Sequence, residues 1–323
     1  MQDTPQTSTA TAAFGGFWRR VGAFAVDALA LVALGQLLGL VFADAFARAG
    51  EWGRAIGFAL ALAWFVPFES RLGGGRSPGK RLLGLRVARL DGTAPGAAIA
   101  AARCVILLLP FFLNGAPLPA VLLFGRGVYL VSLLVFGLGL TSLYLFAFER
   151  RTHRALHDRL TRTVVLRDGP AMPVSPSPLE SAHGVAMAVL LALALAAPLA
   201  LRHLERTGPL AEIAQLYEAV GALPGVRYAG VADSGEGGED DSDGERVLSV
   251  DAVVESDVAR PGALPEKLAA IVFASFPGAA SADRIRIELR HGFDIGIASR
   301  FDRRAFDRSP EEWREAIAAG AEG

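Results

Sequence analysis

Cysteine is almost missing from this 323-residue chain: Cys104 stands alone, inside an apolar stretch. No intrachain disulfide can form, and a four-cysteine zinc site is excluded. Histidine is scarce too, at five. His153 and His157 are spaced to share a helix face beside Asp158, but no glutamate lies between them. A basic juxtamembrane segment accounts for them better than a zinc site, so no metal is expected. No serine or cysteine nucleophile sits in a recognisable setting, and neither an enzyme nor a cofactor is expected. Charge is thin as well, 20% of residues against 52% hydrophobic with a mean hydropathy of +0.38. The apolar excess is concentrated in long runs, which a single water-soluble core does not need.

The runs cover residues 21–42, 55–68, 97–113, 128–148 and 185–201. The first, at 22 residues, is long enough to span a bilayer. The second has 14 residues and contains Pro67, and Trp52 with a snorkelling Arg54 extends it at the interface. Lys and Arg number 2 before the first run, 6 in residues 69–96 and 6 in 149–183, against 2 and 1 in the two intervening loops. That alternation fits four spans with both ends inside, after which a fifth carries the tail out. Arg19-Arg20 before an apolar run also invites an export-signal reading. The run exceeds the roughly 7 to 15 residues of such a segment, and Asp27 lies within it.

Expected domains are a disordered tail over 1–14, a membrane domain over 15–167, a linker over 168–183, a fifth membrane helix over 184–201 and an extracytoplasmic α+β domain over 207–323. The fold class is thus a polytopic α-helical bundle followed by a small α+β domain, in a cell membrane of the bacterial inner-membrane type. The halves differ in charge: residues 1–201 hold 18 Lys and Arg against 10 Asp and Glu, and residues 202–323 hold 14 against 23. The basic half suits anionic lipid, and the acidic tail argues for a protein partner and against nucleic acid. Within the tail, patterning predicts helices over 209–222 and 265–276, strands over 226–231 and 246–255, and a hairpin that turns near His291-Gly292. Ser309-Pro310-Glu311-Glu312 predicts a capped last helix.

Gly74-Gly-Arg-Ser-Pro-Gly79-Lys80 fits most of a P-loop, but Arg81 replaces the magnesium-binding hydroxyl and Pro78 lacks a backbone N–H. Residues 239–244 resemble a calcium loop, yet Val250 stands where its bidentate glutamate belongs, so a solvated loop is the better reading. Asp27 lies seven residues past Arg20, on the same helix face. A carboxylate at that depth costs about 2.5–3.5 kcal/mol and needs a partner. Arg103, six residues into the third run as Asp27 is into the first, is the expected one.

Three blocks carry a resemblance. They are Gly16-Phe-Trp-Arg-Arg-Val-Gly-Ala-Phe-Ala-Val-Asp27; Ser77-Pro-Gly-Lys80-Arg-Leu-Leu-Gly84-Leu-Arg-Val87 with Asp91-Gly92 and Arg103; and Leu156-His157-Asp158-Arg-Leu-Thr-Arg-Thr163-Val-Val. The chain over about 15–167 resembles the RDD family of membrane proteins, called after one arginine and two aspartates. The resemblance implies Arg20 as the family arginine, Asp27 and Asp158 as the aspartates, and a loop motif of Pro78, Gly79, Lys80 and Gly84. Thr161-Arg162 departs from the small residues usual before Thr163. Transport of an unidentified ligand is what the resemblance most often suggests. Two functions are therefore expected to compete: transport of an ion or small ligand through a polar cluster of Arg20, Asp27, Arg103 and Asp158, or a non-transporting scaffold whose tail binds a protein.

Overall fold

The computed structural model describes residues 14–321 except 117, 119–121, 123–124, 170–172, 177, 208–209, 235–244, 256–257 and 260. Residues 1–13 of the expected disordered tail and the calcium-like 239–244 lie outside the described residues. Phe14, expected in that tail, is buried and bridges to Leu166.

The apolar runs become helices, although Asp27 and Arg103 stand inside two of them. Helix α1 is Phe17–Ala49, with a break in helical geometry at Phe42, and α2 is Gly53–Glu69. Helix α3 (Pro78–Leu82) leads through Gly84 into strand β1 (Leu85–Arg89). Helix α4 is Ala97–Leu113 and α5 is Gly127–Phe148, the latter carrying a π-helical turn at Leu133–Gly137. Helix α6 (Leu156–Leu160) leads into β2 (Thr163–Arg167). Helix α7, Ser181–Thr207, starts earlier and ends later than the apolar run at 185–201. Three stretches, Phe17–Glu69, Gly127–Phe148 and Ser181–Ala200, are long and apolar enough to cross a membrane, and Ala97–Leu113 is apolar but shorter.

The two basic segments that read as loops contain a duplicated device. β1 and β2 pair antiparallel, centred on Val87 opposite Val165. Each follows a one-turn helix, and the second copy lies 78 positions after the first, as 78 to 156 and 85 to 163 show. The residue before each strand has positive φ: Gly84 at 61° and Arg162 at 52°. Arginine in that left-handed conformation costs roughly 1–2 kcal/mol that glycine avoids, which is the price of the departure noted at Thr161-Arg162. The expected linker is partly tied to this ribbon, because Asp168 N–H donates to Gly84 and Val174 N–H to Leu90.

Prolines in α2, α4 and α7 each leave one backbone carbonyl without its helical donor. In α7 the carbonyl released by Pro198 is that of Ala194, and the Ser132 hydroxyl of α5 donates to it. Gly137 permits this approach, since a Cβ there would meet Leu191 at 3.2 Å and Ala194 at 3.5 Å.

The tail holds α8 (Leu210–Gly221), β3 (Val226–Ser234), β4 (Val247–Val254), α9 (Leu264–Ser275), β5 (Arg284–Asp294), β6 (Ser299–Arg308) and α10 (Pro310–Ala321). The sheet order is β3-β4-β5-β6, antiparallel except for the parallel β4–β5 pair that α9 connects. The hairpin turn is displaced from the expected position: β5 runs straight through His291-Gly292 to Asp294, and β6 returns from Ser299. Gly292 is needed for close pairing, since a Cβ would lie 2.0 Å from the Arg300 carbonyl oxygen. Helix α10 opens on a capping box: Ser309 N–H donates to Glu312 at 2.8 Å, and Glu312 N–H to Ser309 Oγ at 3.3 Å. Its Trp313 is fully buried and donates to the Ile285 carbonyl at 2.9 Å, fixing the helix on the sheet.

Division by contacts gives one compact unit of 1–40, 54–198 and 295–298, and a second of 41–53, 199–294 and 299–323.

Candidate functional site

Buried charge is expensive unless paired, so the largest buried ionic cluster among the described residues is the natural candidate site. It lies in the first unit and is built from α1, α2, α4 and the one-turn helices α3 and α6. Asp27, Glu69 and Asp158 are completely buried; Arg103 is 2% exposed and Arg20 and Lys80 8%.

Asp158 is the point of convergence. Arg20 Nη2 donates to its Oδ2 at 2.7 Å, and Arg103 Nε to its Oδ1 at 3.0 Å. Arg20 also holds the His153 carbonyl oxygen and lies 4.9 Å over the Phe146 ring. Arg103 turns its Nη1 to Glu69, whose other oxygen accepts from Lys80 Nζ at 2.5 Å. Lys80 Nζ reaches Ser77 Oγ at 3.5 Å, and Ser77 donates to Asp27. The Gly79 N–H completes Asp27 at 2.9 Å. One continuous path thus joins Asp27, Ser77, Lys80, Glu69, Arg103, Asp158 and Arg20, with three formal anions and three formal cations.

The expected pairing of Asp27 with Arg103 is corrected. Asp27 is held by Ser77 and Gly79, and Arg103 by Glu69 and Asp158. All four sequence candidates, Arg20, Asp27, Arg103 and Asp158, do lie in one network, but the count of residues into each run, which paired Asp27 with Arg103, says nothing of the direction in which each side chain leaves its helix. Of the loop motif, Gly79 and Lys80 contribute directly, Pro78 starts α3, and Gly84 ends it in left-handed geometry. The P-loop likeness finds two of its phosphate donors already engaged here, since the Gly79 N–H serves Asp27 and Lys80 serves Glu69. Glu69 was missed. Its signal was available: between Arg54 and Asp91 it is the sole acidic residue.

The two histidines have separate partners. His153 Nδ1 meets the Phe146 carbonyl oxygen at 3.1 Å, and His157 Nε2 faces Asp158 at 3.6 Å while its Nδ1 is buried with no hydrogen-bond partner among the described residues. Burial pushes the His157 imidazole down to about 3, against the pull of Asp158, with Arg103 and Arg20 adding to the fall. Burial alone would raise the Asp158 carboxyl, but His157, Arg103 and Arg20 outweigh it and hold it below the usual carboxylate range.

A pH dependence follows with a definite sign. Below its ordinary value of 6.5 the unfolded chain protonates His157 while the folded chain does not, so unfolding takes up a proton and stability falls as pH drops from about 6.5 towards 3. Thermal unfolding of wild type is expected to come earlier at pH 5 than at pH 7.5, and His157→Gln to flatten that difference. An unchanged pH slope in the variant would place the titration elsewhere.

Residues 14–162 match the RDD family. No curated protein and no solved structure is significantly similar to the chain.

Proposed function

We propose that this chain, whose residues 14–162 match the RDD family and which has three stretches long and apolar enough to cross a membrane, is an integral membrane protein that serves as a non-transporting scaffold whose α+β tail binds a protein partner. The observation that carries this reading is the enclosure of the charge network. Asp27 is 0% exposed and both its oxygens accept hydrogen bonds from fixed protein groups, Ser77 and Gly79, an arrangement that suits a structural carboxylate better than one that receives a travelling ion. A transport site needs a carboxylate that can exchange partners with water or cargo. No catalytic role is proposed.

The same reading places four spans and then a fifth, with the N-terminus, 69–96 and 149–183 in the cytoplasm and 207–323 outside it. Reporters fused at Gly169 and Gly323 are expected on opposite sides. One observation favours the rival, transport through the cluster: the π-helical turn Leu133–Gly137, a distortion frequent at functional sites. Flux assays on the purified full chain in sealed vesicles separate the two. We expect no flux of protons or alkali cations above that of empty vesicles. Flux that disappears in Asp27→Asn would overturn the scaffold reading.

A further inference from the structure

Away from the charge network, a cavity of about 150 Å³ opens where α5 ends and α7 begins, lined by Phe148, Glu149, Arg150, Arg151, Pro178, Glu180 and His183. We propose that it binds the phosphate headgroup of an anionic phospholipid.

The case starts from depth. The end of one membrane-capable helix and the start of another meet here, so the cavity sits at the edge of the hydrocarbon. Phe148, which lines it, and Leu143 and Val185, near the same ends of α5 and α7, are 59–64% exposed, an apolar flank for acyl chains to cover. His183 lines the cavity, and its Nδ1 lies 3.0 Å from the hydroxyl of Tyr144, an aromatic residue suited to the interface. A lipid whose chains lie along that flank brings its phosphate to the cavity mouth.

Charge then selects the lipid. Glu149, though it lines the cavity, is 6% exposed, and its carboxylate is occupied by the Thr152 hydroxyl, the N–H groups of Thr152 and Arg154, and Arg159. Glu180 is neutralised by Arg151 at 2.9 Å. Arg150 is exposed and, among the described residues, has no carboxylate within ion-pair distance. One guanidinium is left over, and a guanidinium matches phosphate geometry. The inference requires only that α5 and α7 cross a bilayer, and it holds whether the protein anchors or transports.

The test uses the full-length protein delipidated in detergent and re-exposed to phosphatidylglycerol or phosphatidylcholine, with retained lipid counted by native mass spectrometry. Phosphatidylglycerol is expected to be retained in preference. Arg150→Gln should lower its retention about fivefold, the worth of one basic residue near a charged lipid surface, and Arg150→Lys should keep most of it. Glu180→Gln, which releases Arg151, should raise retention, a gain that damage to the fold does not produce. Phosphatidylcholine binding should stay level across the set. Equal retention of the two lipids by wild type, or an Arg150→Gln variant that retains phosphatidylglycerol as wild type does, would overturn the proposal. So would soluble glycerol phosphate that displaces the lipid at matched concentration.

Discussion

Arg103→Gln is expected to remove about 3–5 kcal/mol of folding stability, because it leaves Glu69 and Asp158 buried with one cation fewer each. That is a large share of the roughly 5–15 kcal/mol that holds an ordinary domain together, so little folded protein should survive detergent extraction at growth temperature. The pattern of double variants carries the information. Combined with Asp158→Asn or Glu69→Gln, the loss should be smaller than the sum of the singles by about 0.5–3 kcal/mol, since the partners touch. Combined with Asp27→Asn, the coupling should be clearly weaker, because Asp27 and Arg103 share no direct contact and are joined only through Ser77, Lys80 and Glu69. Thermal unfolding of the set in one detergent decides it. Strong coupling between Asp27 and Arg103, with none between Arg103 and Asp158, would refute the arrangement described above.

Gly79→Ala should be nearly as damaging, although it adds a single methyl group. A Cβ at Gly79 would lie 2.0 Å from the Ala23 carbonyl oxygen and 3.1 Å from Asp27 Cγ, so α3 has to move off α1. Moving it stretches the 2.9 Å bond from the Gly79 N–H, and Asp27, fully buried, then has the Ser77 hydroxyl alone. Overpacking and an under-satisfied buried carboxylate together are expected to cost about 3 kcal/mol or more. Gly84→Ala is the control. Its φ of +61° is unfavourable for alanine, but no atom lies within 4 Å of the added Cβ, so the expected loss is about 1 kcal/mol. Equal melting temperatures for the two variants would show that the approach of α3 to Asp27 is not tight.

How much of this could be read beforehand depended on whether a feature was local. Long apolar runs, the Ser309–Glu312 cap and the alternation of residues 284–290 are set by neighbours in sequence, and helices and strands stand at those places. Arg20, Asp27, Arg103 and Asp158 were nameable because a charge within or beside an apolar run is conspicuous. Their partners were not, since pairing is settled by α3 and α6, one-turn helices inside segments that composition marks only as basic loops. The β1–β2 ribbon was hidden for a related reason: five-residue strands 78 positions apart leave no periodic trace. β6 was hidden by its surface. With sequence Ser-Arg-Phe-Asp-Arg-Arg-Ala-Phe-Asp-Arg it is mostly exposed and lacks the alternation that marked β5, so the turn was placed too early.

Helix α7 looks like an interchangeable part, a generic apolar span that any other of equal length would replace. The Ala194 carbonyl says otherwise. Pro198 strips it of its own helical donor, and Ser132, on a different helix, supplies the missing one. Hydrocarbon offers no water to do the same, so the Ala194 carbonyl relies on α5 for its donor. A transplanted helix of equal length and apolarity would leave the Ser132 hydroxyl without the Ala194 acceptor. Joining a foreign anchor at residue 181 therefore changes the membrane domain as well as the tail, and chimaeras made there do not leave the donor half in its native state.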